Sequence, residues 1–161
     1  MSLLSRFLTE DHILLKQQAL DWRDAIQIAG QSLLNSGDID KMYIPAMQDA
    51  VKDFGPYIVL DKGFALAHAK PSELVYRVCI SMVTLDPPVE FGNQDFDPVD
   101  ILVAFGTPDA ESHITMLREL CELLNQPEAF VKIRAATNTS EIMSLFSTPE
   151  TNIINKEVYP E

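Results

Sequence analysis

The sequence predicts an α/β protein in which helices cover both faces of one β-sheet. Three observations carry that reading. Val75 to Leu85 and Val99 to Phe105 are apolar on both alternating faces, and strands of that kind lie in the middle of a covered sheet. Shorter apolar runs, Tyr57 to Leu60 and Phe64 to Ala67, stand between turn signals, as buried strands do. Amphipathic stretches of helical period flank these runs, and strands alternating with helices on both sides build a three-layer α/β/α sandwich. A chain of 161 residues is most simply one domain with a core that needs no staples.

Taken in order, Ser2 to Leu8 reads as a short helix and Ile13 to Lys16 as a first strand. Trp22, Ala25, Ile26, Ala29 and Leu33 share one helical face, with Asp21 as cap and Gly37 as stop. A second helix follows from Asp40, its buried stripe marked by Ile44, Met47, Val51 and Phe54. Gly55 supplies the left-handed residue that ends it, and Pro56 prevents continuation.

The strand pair that follows is split by Asp61-Lys62-Gly63 and stopped by Ala69-Lys70-Pro71. In the strand Val75 to Leu85, Tyr76, Val78, Ile80 and Met82 alternate on one face, and Asp86-Pro87-Pro88 reads as its end. Glu90 to Pro98 is a loop. After Val99 to Phe105, Gly106-Thr107-Pro108-Asp109 opens a helix capped by Thr107 or Asp109. Ile114, Leu117, Leu120, Cys121 and Leu124 form its stripe. Further helices start near Pro127 and at Asn138, where Glu141 stands at capping-box spacing. Residues 1–147 make the domain, and 148–161 read as a loosely held C-terminal tail.

Composition narrows the function classes. The net charge is −12, with 24 acids against 12 bases, which argues against nucleic acid and against adhesion to anionic lipid. A basic protein partner fits better. Between Arg77 and Arg118 there is no Lys or Arg, and most of the acids there read as solvated loop and helix faces. Cys79 and Cys121 lack metal-ligand spacing and read as buried, reduced thiols of a cytoplasmic protein. Thr9-Glu10-Asp11 cuts the first apolar stretch too short for a secretory leader. No run approaches the roughly 18 apolar residues of a membrane span. No Gly-rich phosphate loop, dinucleotide fingerprint or G-x-S-x-G elbow is present.

Three histidines remain. His12, beside Asp11, reads as a surface residue. His68 stands where a strand leaves the sheet, between Ala67 and Ala69, which are too small to cover the ring. Two readings stay open there: a nucleophile or base near neutral pH, and a half-buried histidine that bonds a backbone carbonyl. His113 falls in the first turn or so of a helix, whose free N–H groups can seat a phosphate, unless it simply faces solvent. Both His68 and His113 follow apolar strands, where α/β sheets usually bind ligands.

The segment Gly63-Phe64-Ala65-Leu66-Ala67-His68-Ala69 resembles the active-site motif of the mannitol/fructose-type enzyme IIA proteins of the bacterial sugar phosphotransferase system. In that motif a proline usually stands where this chain has Ala67. Gly55-Pro56-Tyr57 and Lys70-Pro71 look most like the ascorbate-specific branch. Trp22-Arg23-Asp24-Ala25, Pro98-Val99-Asp100-Ile101-Leu102 and His113 extend the similarity from about Trp22 to about Phe146. The resemblance implies a mixed sheet and a phosphoryl carrier without metal or organic cofactor. It implies that His68 takes phosphate from the histidine phosphocarrier protein and passes it to a cysteine of the IIB component, with the membrane IIC transporter served indirectly. His113 would stabilise the phosphoryl group. Lys52, where mannitol-type members tend to carry arginine, would contribute weakly. Two alternatives stay open: a regulatory phosphorylation module of the same fold, and a hydrolase using His68 and His113 as an acid/base pair.

Overall fold

A computed structural model describes residues 2–146, so the C-terminal tail lies outside the described residues. The elements are α1 (Leu3–Phe7), β1 (Ile13–Gln17), α2 (Trp22–Asn35), α3 (Tyr43–Phe54), β2 (Val59–Asp61), β3 (Phe64–Ala67), β4 (Cys79–Val89), β5 (Val99–Gly106), α4 (Ala110–Glu122), α5 (Pro127–Ala135) and α6 (Thr139–Phe146). The strands form one mixed sheet in the order β1-β4-β5-β3-β2. The pairs β1–β4 and β3–β5 are parallel; β4–β5 and β2–β3 are antiparallel. Among the described residues, no helix is long and apolar enough to cross a membrane.

The two-faced apolar strands do what their pattern requires. Along β5, Val99, Leu102 and Ala104 enter one core with α2 and α3. Ile101, Val103 and Phe105 enter a second core with α1, α4, α5 and α6. Helices therefore cover both faces, and β5 and the Cys79 to Leu85 part of β4 are almost wholly buried.

Local signals set most boundaries. The Asp21 carboxylate accepts the Asp24 N–H at the start of α2, and Gly55 ends α3 with φ +85°, a conformation glycine adopts without a Cβ penalty. At α6, Asn138 Oδ1 accepts the Glu141 N–H while Glu141 Oε1 accepts the Asn138 N–H, closing the capping box.

Several local expectations are corrected. Phe54 is exposed rather than part of the α3 stripe, and Tyr76 and Ile114 are exposed too. Cys121 is exposed, whereas Cys79 is buried. The buried face of α4 is set by Met116 and Leu120, and Cys121 lies about 100° round the helix from Leu120. β4 starts later than predicted and continues through Pro87 and Pro88 to Val89, which pairs with Val99. Those prolines follow the run of ladder pairs from Cys79 to Thr84, in a register break where proline is tolerated.

His12 is buried instead of exposed. Its Nε2 lies 2.8 Å from Ser36 Oγ and 3.9 Å from Asp38, which is itself bound by Arg77. Three of the acids between Arg77 and Arg118 hold local structure. Asp97 accepts the N–H groups of Phe91, Gly92 and Asn93, Asp100 pairs with Arg134 at 2.8 Å, and Asp109 caps α4.

Candidate functional site

Strand alternation decides which way His68 faces. Phe64 and Leu66 belong to the core beneath α4 to α6, and Ala65 and Ala67 to the opposite one. Successive side chains of a strand point to opposite faces, so His68, next after Ala67, turns to the side of Leu66. β5 runs parallel alongside, with Ala104 opposite Ala67, which brings Phe105 level with His68. The two rings stack, with centroids 5.0 Å apart and planes 17° apart.

The chain then turns from β5 into α4 and carries His113 over the same spot. The His113 ring lies 5.5 Å from His68 and 5.7 Å from Phe105. Tyr57 meets the His68 ring edge-on at 6.3 Å. The two histidines predicted from separate strand ends thus share one site. Both are half-buried.

His68 Nδ1 lies 3.0 Å from the Leu66 carbonyl oxygen. A carbonyl can only accept, so Nδ1 carries the proton and the neutral ring keeps its lone pair at Nε2. The backbone bond of one reading is therefore present, and it leaves the other nitrogen free, as the alternative reading requires. Burial pushes the His68 pKa below its ordinary 6.5; the Leu66 bond opposes the shift, and His113 adds to it. Burial lowers the His113 pKa as well. Both rings are neutral at pH 7, as a nucleophile requires.

Tyr43 underpins this corner. Its phenol is buried, lies 2.9 Å from the Phe105 carbonyl and 3.2 Å from the Ala69 carbonyl, and accepts the Ala69 N–H at 3.0 Å. One hydroxyl therefore ties the residue after His68 to the residue beneath its ring. Burial pushes its pKa far above the ordinary tyrosine value, so it stays a neutral donor. Sequence reasoning missed Tyr43 and the stacking role of Phe105. Each looks like an ordinary core residue, and only the register of β3 against β5 reveals what it touches.

The remaining expectations fare differently. Lys52 lies exposed in the last turn of α3, and no hydrogen bond or ion pair joins it to either histidine. The α4 N-terminus is partly taken: Asp109 Oδ1 accepts the Ser112 N–H at 2.8 Å, which holds its carboxyl pKa low. A phosphate there would meet an anion, so His113 itself is the better donor. Among the described residues, no group of three or more His, Cys, Asp or Glu is placed to hold a metal ion. A cleft of about 390 Å³, lined by Lys62, Asp97, Asp100 and Arg134 among others, opens at the opposite end of β3 and β5.

The sequence pattern of the family described as phosphoenolpyruvate-dependent sugar phosphotransferase system, EIIA 2, matches residues 6–148. The chain belongs to this family. The ascorbate-specific EIIA component of Shigella boydii is 35% identical to this EIIA chain over 134 residues, 83% of the chain and 87% of the relative. The solution structure of the mannitol-specific cryptic enzyme IIA CmtB from Escherichia coli superposes with a TM-score of 0.80. It is 32% identical, covering 89% of this chain and 97% of CmtB. The E. coli complex of enzyme IIA-mannitol with phosphorylated enzyme IIB-mannitol shares the EIIA fold at a TM-score of 0.77 and 20% identity, covering 88% of this chain and 99% of that one.

Proposed function

We propose that this EIIA protein is a phosphoryl carrier whose acceptor atom is His68 Nε2. The observation that carries the reading is the His68–His113 pair: one ring holds its Nε2 lone pair free through the Leu66 bond, and a second ring stands 5.5 Å away. The phosphorus–nitrogen bond of the phosphorylated histidine phosphocarrier protein breaks as Nε2 donates its pair to phosphorus. The proton stays on Nδ1 and is donated to the Leu66 carbonyl, which helps offset the charge the ring gains. In the second step a thiolate of the IIB component attacks phosphorus, and Nε2 leaves with its electron pair. Neither Cys79 nor Cys121 takes part.

Such in-line transfer is mainly positioning and electrostatics. Tyr43 and Phe105 position the acceptor. His113 contributes a charge-assisted hydrogen bond to the phosphoryl oxygens, worth about 1.5–3 kcal/mol. Lys52 adds at most a screened charge. The name of the Shigella boydii relative supports an ascorbate-specific system; on this reading the protein works in the cytoplasm and serves the IIC transporter through IIB.

The test is phosphorylation with phosphoenolpyruvate, enzyme I and the phosphocarrier protein, followed by mapping of the acid-labile phosphate. His68→Ala taking up full label would overturn the reading. Label retained until IIB is added supports a carrier, whereas steady release as inorganic phosphate would point to a hydrolase.

A further inference from the structure

We propose that Thr107 is a positioning residue that fixes His113 as the Nε2–H tautomer, making it a hydrogen-bond donor to the phosphoryl group that His68 carries. This deepens the reading above and rests on it for the role of His113, though not for the tautomer.

Thr107 is the first residue beyond β5, and it is 1% exposed. Its Oγ1 lies 3.2 Å from His113 Nδ1, and among the described residues that ring nitrogen is its hydrogen-bond partner. Two arrangements fit that distance. If Nδ1–H donates to Oγ1, the threonine hydroxyl proton is left without an acceptor in a buried place, which is costly. If the hydroxyl donates to Nδ1, both groups are satisfied. The second arrangement puts the only proton of the neutral ring on Nε2, the nitrogen that Thr107 leaves free. Burial keeps the ring neutral at pH 7, so the tautomer, not a charge, decides what the ring offers.

The two histidines then have complementary forms. The Leu66 carbonyl places the His68 proton on Nδ1 and leaves a lone pair on Nε2. The Thr107 hydroxyl does the reverse for His113. One ring is the nucleophile and the other the donor, and each is set by a single oxygen atom. The opposite tautomer of His113 would turn a lone pair to anionic oxygens and repel them.

Imidazole nitrogen NMR on the ¹⁵N-labelled full chain above pH 7.5 reads the tautomer directly, with Thr107→Val removing the hydroxyl and Thr107→Ser keeping it. The expected result is a proton on His113 Nε2 in the wild type and in Thr107→Ser, and exchange between both nitrogens in Thr107→Val. Transfer from phosphorylated protein to the IIB component should then fall about tenfold in kcat for Thr107→Val, with KM for IIB unchanged, and recover to within about twofold in Thr107→Ser. A wild-type proton on Nδ1 overturns the proposal without any variant. An unchanged tautomer and rate in Thr107→Val overturns it as well. A tautomer lost in Thr107→Val with unchanged transfer would uphold the Thr107 assignment and sink the donor role of His113.

Discussion

The His68 ring lies flat on Phe105, with centroids 5.0 Å and planes 17° apart. Adjacent parallel strands put the two side chains level and on one face, so the proposed acceptor rests on a rigid aromatic floor. Replacing Phe105 by alanine removes that floor. The loss should be about 3–5 kcal/mol of stability, as for other buried aromatic truncations. Water then reaches the imidazole, and the His68 pKa should rise towards 6.5. A proton NMR titration of the folded variant checks this; an unchanged pKa would mean that burial by Phe105 is not the cause of the shift.

Lowered histidine pKa values set the sign of the pH response. The folded state binds fewer protons at His68 and His113 than the unfolded chain does. Their contribution to stability is complete above pH 6.5 and is lost as pH falls through the lower folded values. Phosphate acceptance should fall over the same range, because a protonated Nε2 has no lone pair. Thermal melts and labelling rates between pH 8 and 5, compared with His68→Gln, measure both effects.

Tyr43→Phe keeps the ring and deletes the hydroxyl. It leaves the Ala69 N–H and a Phe105 or Ala69 carbonyl without a partner, at a cost of about 1–3 kcal/mol. The variant should fold but accept phosphate more slowly, as His68 loses its fixed seat. Urea unfolding alongside initial labelling rates tests this, and an undiminished rate would show that the strand end holds itself.

His113→Ala should still be labelled at His68, while delivery to IIB drops by about tenfold or more, or about 1.4 kcal/mol of barrier. Single-turnover transfer from pre-labelled protein separates the two steps.

Lys52→Ala should slow transfer by less than about tenfold, since the side chain is exposed and a lysine lacks the bidentate fork of arginine. A far larger loss would show that Lys52 swings onto the phosphoryl group when a partner docks.

The sequence by itself determined the layers and singled out the two histidines of the candidate site. Two-faced apolar strands demand cover on both sides, and Gly55, Asp21 and the Asn138–Glu141 box act within a turn of themselves, so local rules suffice for them. His68 was legible because a glycine-led strand ends on it, and His113 because it follows the next strand end. Only the tertiary structure decided the rest. Phe54, Tyr76 and Cys121 look buried in the sequence yet are exposed, and the buried His12 meets Ser36 and Asp38 from another part of the chain. The stack of His68 on Phe105 depends on the β3–β5 register, and the roles of Tyr43 and Thr107 depend on single hydroxyls meeting distant groups. Periodicity reports which face a side chain takes; it carries no information about which partner waits there.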